Sequence, residues 1–438
     1  MPKTVIIGAG SKFGTRLSID ILSHDALCEG ELALVDINPD HLDPASEYVQ
    51  TAVDQHDVPV DVTAHLDRED ALDGADYVIV SISVGGPAYN GEPYYHEVAI
   101  PRAYGVDQQV ADTVGPGGVF RTLRTAPEMV DIAKDMEAYC PDAQLLNYTN
   151  PMAMLCWTMA TETDVDIVGL CHSVQGTAKS LAGYIDANPA AIEHWVAGIN
   201  HLAWFLTFRR NGEDAYPDLR EAMTDPAIFE QDPVRFEIFL QFDSFVTESS
   251  RHMSEYVPYF RDDEATMAEY DLESRLPERD PEGTRWDGEY GERIRARIRG
   301  DEPIDLSSSH EYAAGIMNAM ETGEPFHFNG NVMNDGSIEN LPDDCCVEVP
   351  CWADETGIHQ ATVGRLPSQL ASLCQSNVDV QRLTVEAVRE RNLRAAYHAI
   401  LRDPLTGAVQ SPRETEDMFE EMVTALEPWL ADHYPAAY

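Results

Sequence analysis

The chain opens with TVIIGAG, a β-branched run that ends in glycines and passes into a helical pattern through Leu17, Ile19 and Leu22. A second apolar run, ELALVD, follows and ends at Asp36. Strand, glycine turn, helix and strand in that order make one βαβ unit, whose two strands must be parallel. Gly8, Gly10 and Gly14 sit at the turn with the spacing G-x-G-x-x-x-G, a variant of the dinucleotide fingerprint. Glycines let the backbone approach a pyrophosphate, and the positive end of the following helix stabilises its charge. Asp36 is where a carboxylate binds the ribose hydroxyls of NAD and repels the 2′-phosphate of NADP. A purely structural turn is the competing reading.

The alternation continues through strands at Asp76–Ile82, Ala143–Asn147 and Asp166–Leu170, with a helix from about Thr122 to Tyr139. The expected fold class is therefore α/β, a Rossmann-like doubly wound parallel sheet. Ala197–Phe208 reads as a strand pair, and the regular alternation stops there. From Tyr216 to Gly300 the chain is acidic, with helices broken by DP, PE and RDPEG signals. Short β runs follow in EPFHFNGNVMNDGSIENLP, and helical periodicity returns over Gln369–Tyr397 and Glu414–Leu430. The expected organisation is an NAD-binding domain over 1–195 and a mixed α+β lobe over 196–438 for substrate, metal and oligomerisation.

Charge excludes one class of partner. The chain has 29 basic against 77 acidic residues, a formal net charge of −48, which repels nucleic acid. Lysine is confined to Lys3, Lys12, Lys134 and Lys179, a balance that reads as adaptation to high salt, where screening to about 3 Å lets crowded carboxylates coexist. A disordered acidic chain is excluded by the 44% hydrophobic content and the recurring strand patterns. No apolar run reaches the roughly 18 residues of a membrane span, and the first residues lack a signal-peptide pattern, so a cytoplasmic protein is expected. The eight cysteines form no C-x-x-C pair and read as reduced thiols, with Cys345, Cys346 and Cys351 of CCVEVPC as packing residues.

Three places carry candidate chemistry. Asn150, in NYTNP after a sheet strand, suits a substrate hydroxyl; it equally suits a helix cap before Pro151. Cys171 follows the strand DIVGL and His201 the strand AGIN, and a thiolate with an imidazole makes half a divalent-metal site. By spacing alone the pair reads first as a buried thiol and a core imidazole. Arg121, after the glycine-rich Gly115–Gly118 stretch, suits a substrate hydroxyl or carboxylate, or an ion pair.

Taken together, GAGS, ADTVGPGGVFRTLRT, NYTNPMA, GLCHS, GINH, SEYVPYF and NVMNDGSIENLPDDCCVEVPC resemble glycoside hydrolase family 4 over most of the chain. The resemblance implies a lactate/malate dehydrogenase-like fold, NAD held around Gly8, Gly10, Ser11, Phe13, Gly14 and Asp36, and Mn²⁺ on Cys171 and His201. It implies Asn150 and Arg121 at the substrate, and His172, where phosphosugar branches have Asp, as the acid of a branch acting on unphosphorylated sugars. The base falls within TESSRHMSEYVPYF: Tyr256 aligns best, with Glu248, His252 and Glu255 as alternatives. The chemistry so implied is oxidation of the sugar at C3 by NAD, deprotonation at C2, elimination, water addition and re-reduction, outside the two-carboxylate scheme of most glycosidases. An α-galactoside is the expected substrate, then an α-galacturonide or α-glucoside, and a homodimer or homotetramer the expected assembly. The runner-up is an NAD-dependent 2-hydroxy-acid dehydrogenase, whose cofactor lobe would look the same.

Overall fold

A computed structural model describes residues 1–86, 89–280, 286 and 288–435. The RDPEG signal lies partly outside the described residues. Twelve strands form one sheet. They are β1 Lys3–Ile7, β2 Glu31–Val35, β3 Asp61–His65, β4 Tyr77–Val80, β5 Gln144–Asn147, β6 Ile167–Leu170, β7 Ile192–Ile199, β8 Leu202–Arg210, β9 Glu213–Asp214, β10 Phe326–Met333, β11 Cys346–Asp354 and β12 Gly357–Gln360.

Their order is β3-β2-β1-β4-β5-β6-β10-β11-β7-β8-β9, with β12 paired to β11. The first six are parallel, and all but the edge strand β3 are nearly all buried, as the run of Val, Ile and Leu requires of a sheet covered on both faces. From β10 onward the pairing is antiparallel. The Rossmann-like sheet is thus extended by the strands of the second lobe, with the transition at β6, whose end carries Cys171.

Several elements differ from expectation. The helix expected from Thr122 begins at Gly115, so the glycine-rich stretch forms its first turns and Arg121 lies within it. Close packing demands those glycines: a Cβ at Gly117 would lie 2.6 Å from the Ala111 side chain, and one at Gly118 2.6 Å from the Thr113 carbonyl carbon. Asn150 is not a cap; the Asn150–Pro151 peptide is cis and Pro151 itself is the N-cap of the helix Met152–Glu162. The β3 strand escaped notice because its side chains are mostly half-exposed and polar. The last helical region is divided, with breaks after Arg389, Arg402 and Ala425.

One row of residues crosses the sheet at the carboxyl end of its parallel strands. Cross-strand register aligns Val35, Ile7, Val80, Asn147, Gly169, Asn331, Glu348 and Gly198 in that order. Directly opposed residues share a face. A Cβ at Gly169 would run into Met152 and Cys156, so this face is the one covered by the helix Met152–Glu162. Among the described residues, no helix is long and apolar enough to cross a membrane.

Candidate active site

At the first turn, Gly8 has φ +88° and a Cβ there would stand 2.2 Å from the Ser81 carbonyl oxygen. Gly10 meets His41 and Asp36 as closely, and Gly14 meets Ala9. The backbone is held in a tight cradle with no room for side chains. Ser11 caps the helix Lys12–Leu22, its hydroxyl accepting from Gly14 N at 2.8 Å, and the first turn of that helix carries no acidic residue. Asp36 accepts from Gly10 N at 3.0 Å and Asn38 N at 2.9 Å, which fixes its carboxylate at the end of β2. Phe13 packs on Tyr148, with ring centroids 4.8 Å apart. Cradle, helix N-terminus and fixed carboxylate are the parts a dinucleotide requires.

The second cluster lies at the sheet's transition. His201 occupies the two-residue connection between β7 and β8 in the left-handed region, φ +61°, and Glu248 is left-handed as well at φ +69°. Such backbone in residues other than glycine costs energy that surrounding structure must offset, and it concentrates at functional sites. His201 Nε2 stands 3.3 Å from Cys171 Sγ and 3.6 Å from Glu248 Oε1. With bonds of about 2.0–2.3 Å to nitrogen, oxygen and sulfur, one cation placed among the three would hold donors at such separations. Burial pushes the Cys171 thiol well above its ordinary range, with Glu348 and Glu248 adding to the effect. Burial also lowers His201, favouring the neutral imidazole a metal needs.

A charged relay stands behind these donors. His252 lies between Asp112 Oδ1, at 3.2 Å, and Glu248 Oε2, at 3.1 Å. Burial opposes its charge, but the two carboxylates prevail and hold His252 well above the usual histidine range. Asp112 and Glu248 are held well below theirs, chiefly by the two histidines overcoming desolvation. Asp112 also accepts from Tyr89 OH at 3.0 Å and from Asn150 Nδ2 at 3.1 Å. Asp112, His201 and His252 also approach one another closely enough to share a cation. However, Asp112 is already engaged by several donors and both nitrogens of His252 face carboxylates, so Cys171, His201 and Glu248 make the better donor set.

Of the proposed base candidates, Tyr256 is buried, and its hydroxyl lies 2.6 Å from Thr113 Oγ1, which in turn lies 3.4 Å from His201 Nδ1. Burial pushes its phenol well above the ordinary range. Glu255 has other work: its carboxylate accepts from the backbone N–H of Gln109, Val110 and Ala111, pinning the loop that presents Asp112 and Thr113. His172 is solvent-exposed, with Nδ1 3.6 Å from Glu311 Oε1. Arg121 is buried, its guanidinium 5.3 Å from the Tyr89 ring centroid and 6.0 Å from that of Tyr94.

Sequence reasoning did not single out Asp112, Thr113, Tyr89 or Glu348. The first two lie in a quoted motif, ADTVGPGG, but nothing in their spacing announces a partner far along the chain. Glu348 did leave a signal, a lone charge in the apolar strand CCVEVPC. It is fully buried, and burial, then Glu248, pushes its carboxyl up to about 8.

Comparisons with known proteins cover nearly the whole chain. The family model described as "Family 4 glycosyl hydrolase" matches residues 3–187, and that described as "Family 4 glycosyl hydrolase C-terminal domain" matches residues 196–406. An alpha-galactosidase of Bacillus subtilis (strain 168) is 41% identical over 99% of this chain and 100% of its own length. An alpha-galactosidase of Rhizobium meliloti (strain 1021) is 36% identical over 98% of this chain and 89% of its own. Among solved structures, a 6-phospho-alpha-glucosidase from gut microorganisms, in complex with NAD and Mn²⁺, superposes with a TM-score of 0.80 at 20% identity, covering 98% of this chain and 99% of that one.

Proposed function

This chain belongs to the family 4 glycosyl hydrolases, and from that premise we propose that it hydrolyses an unphosphorylated α-galactoside by an NAD- and Mn²⁺-dependent route. Two α-galactosidases at 41% and 36% identity favour that sugar. The observation that carries the mechanism is the meeting of Cys171 Sγ, His201 Nε2 and Glu248 Oε1 beside the glycine cradle's end of the sheet. When bound, NAD would accept and return the hydride of sugar C3, and a divalent cation would polarise the C2 and C3 oxygens.

The chain's own residues divide the remaining work. Gly8, Gly10, Ser11, Phe13 and Gly14 shape the dinucleotide cradle, and the fixed Asp36 carboxylate receives the ribose hydroxyls. Cys171, His201 and Glu248 hold the cation. Asn150 and Arg121 orient the sugar: Asp112 fixes the Asn150 amide, and two tyrosine rings flank the arginine. Tyr256 takes the C2 proton as its phenolate, a form that a bound cation nearby would favour against burial, with its oxygen steered by Thr113. His172, exposed and beside Glu311, gives a proton to the departing C1 oxygen. The carboxylates of Asp112 and Glu248 around one centre favour a neutral sugar over a uronate. The reading includes an NAD lobe over 1–195, a second lobe over 196–438, a cytoplasmic setting at high salt and a homodimer or homotetramer.

The test is release of nitrophenol from α-galactoside, α-galacturonide and α-glucoside substrates in molar KCl, with NAD, Mn²⁺ and thiol reductant supplied and then omitted one at a time. Hydrolysis should be fastest with the α-galactoside and should need all three additions. Hydrolysis indifferent to NAD and metal would overturn the mechanism. NADH formed in step with consumption of a 2-hydroxy acid, without glycoside cleavage, would establish the dehydrogenase instead.

A further inference from the structure

Glu348 lies next to the far end of the cross-sheet row, opposite Asn331 on one side and Gly198 on the other. Its residue is 0% exposed, and neither carboxylate oxygen has a hydrogen-bond partner among the described residues. The His201 backbone N–H lowers its proton affinity somewhat without making a full hydrogen bond to either oxygen. Asn331, also 0% exposed, spends its amide N–H on the Gly169 carbonyl at 3.3 Å and leaves Oδ1 without a partner. Asn200, adjoining His201 and 3% exposed, has neither side-chain atom paired.

Unpaired buried polar atoms are rare, and a buried carboxylate without a counter-charge costs several kcal/mol by ordinary estimates. Here they converge at one place. Cys171 lies two residues beyond Gly169 and Asn200 two beyond Gly198, so the carboxylate sits in the row just beneath the metal donors. An apolar side chain would fill the same volume between Asn331 and Gly198 at far lower cost, so the carboxyl group calls for a cation nearby.

We propose that Glu348 is a positioning residue of the metal site, its buried, unpartnered carboxyl group favouring a divalent cation on Cys171, His201 and Glu248 without itself touching the sugar. This rests on the metal-site reading above. Through its field, Glu348 raises cation affinity, and with Asn331 and Asn200 it offers oxygens for the water that would complete the outer shell.

The test is Mn²⁺ titration calorimetry on the parent protein, Glu348→Gln, Glu348→Asp and Cys171→Ser, with NAD and thiol reductant present, alongside melting curves of each metal-free protein. Glu348→Gln should bind Mn²⁺ about 10–100-fold more weakly, the usual scale for outer-shell partners. Its metal-free melting temperature should be no lower than the parent's, because an amide of the same size replaces a carboxyl that has no partner among the described residues, and its NAD affinity should be unchanged. Glu348→Asp, which keeps the charge, should recover part of the Mn²⁺ affinity. Mn²⁺ affinity of Glu348→Gln within twofold of the parent would overturn the inference alone, as would a lowered metal-free melting temperature with NAD affinity falling in parallel. A parent protein that binds no Mn²⁺, or a Cys171→Ser that binds it equally well, would overturn the metal-site reading and this inference with it.

Discussion

The two halves of a single row of the sheet follow opposite rules. On the side of β2, β1 and β4 the row is Val35, Ile7 and Val80, packed into one apolar cluster with the helices Gly115–Tyr139 and Met152–Glu162. On the side of β5, β6, β10, β11 and β7 the same row becomes Asn147, Gly169, Asn331, Glu348 and Gly198, equally buried where side chains are concerned but polar. The first half serves only stability, and its atoms are fully satisfied by packing. The second half tolerates unpartnered oxygens beneath Cys171 and His201, which a sequence selected for stability alone would replace. Burial is shared; what differs is whether the buried atoms have partners within the chain.

Substitutions can break this contrast from either side. The largest effect is expected on the polar side, where Cys171→Ser removes the soft donor and should weaken Mn²⁺ binding by more than the roughly 100-fold typical of an outer-shell loss, abolishing glycoside hydrolysis while leaving NAD binding intact. Calorimetry with each ligand in turn would reveal it, and retained Mn²⁺ binding would erase the distinction between the halves. Next, Ile7→Ala on the apolar side should cost about 2–5 kcal/mol of unfolding free energy in a denaturant titration, with Mn²⁺ affinity unchanged in the protein that remains folded.

Gly10→Ala tests the turn at the head of the apolar half. Its Cβ would stand 2.6 Å from His41 Cβ and 2.7 Å from Asp36 Oδ2. Overpacking of about 1–3 kcal/mol should appear mainly as weaker NAD binding, measured by fluorescence titration, and no change would detach the turn from the dinucleotide.

The smallest effect concerns a second buried carboxylate, Asp403, away from the row. Its Oδ2 accepts two bonds from Thr406, from N and from Oγ1 at 2.8 Å each, yet burial pushes its carboxyl up from 3.8 to about 6. Between those values the native chain binds more protons than the unfolded one, so stability contributed by protonated Asp403 is lost as pH rises toward and through 6. Asp403→Asn should remove that slope, about 1 kcal/mol per pH unit, from melting curves recorded across the window, whereas an unchanged slope would assign it to another group.

Much of the fold was legible because periodicity is local. Strands β1, β2, β4, β5 and β6 are short apolar runs bounded by turn residues, and the strand pair around Asn200–His201 follows from the same pattern. Missed features each depended on distant chain. The β3 strand is an edge strand with little apolar content, and the glycines at 115–118 become helical because Ala111 and Thr113 press against them. At the site, Cys171 and His201 were visible as residue types, but their 3.3 Å approach joins positions 30 apart. Glu248 was placed among the bases by motif; its position beside His201 depends on how the segment folds onto the β7–β8 connection. Glu255 looked equally suited until its carboxylate was found bound to three backbone amides.

By itself, then, the sequence determined the dinucleotide half of this protein, since a glycine turn, a helix start and an acid at the next strand's end are dictated within some thirty residues of chain. Tertiary structure decided the other half. Only the antiparallel addition of β10, β11 and β7 to β6 sets Asn331 and Glu348 beside Gly169, and only there do Asp112, His252 and Glu248 fix one another's charge. The reason is physical: backbone conformation is chosen by neighbours in sequence, whereas charge state and metal geometry are set by neighbours in space.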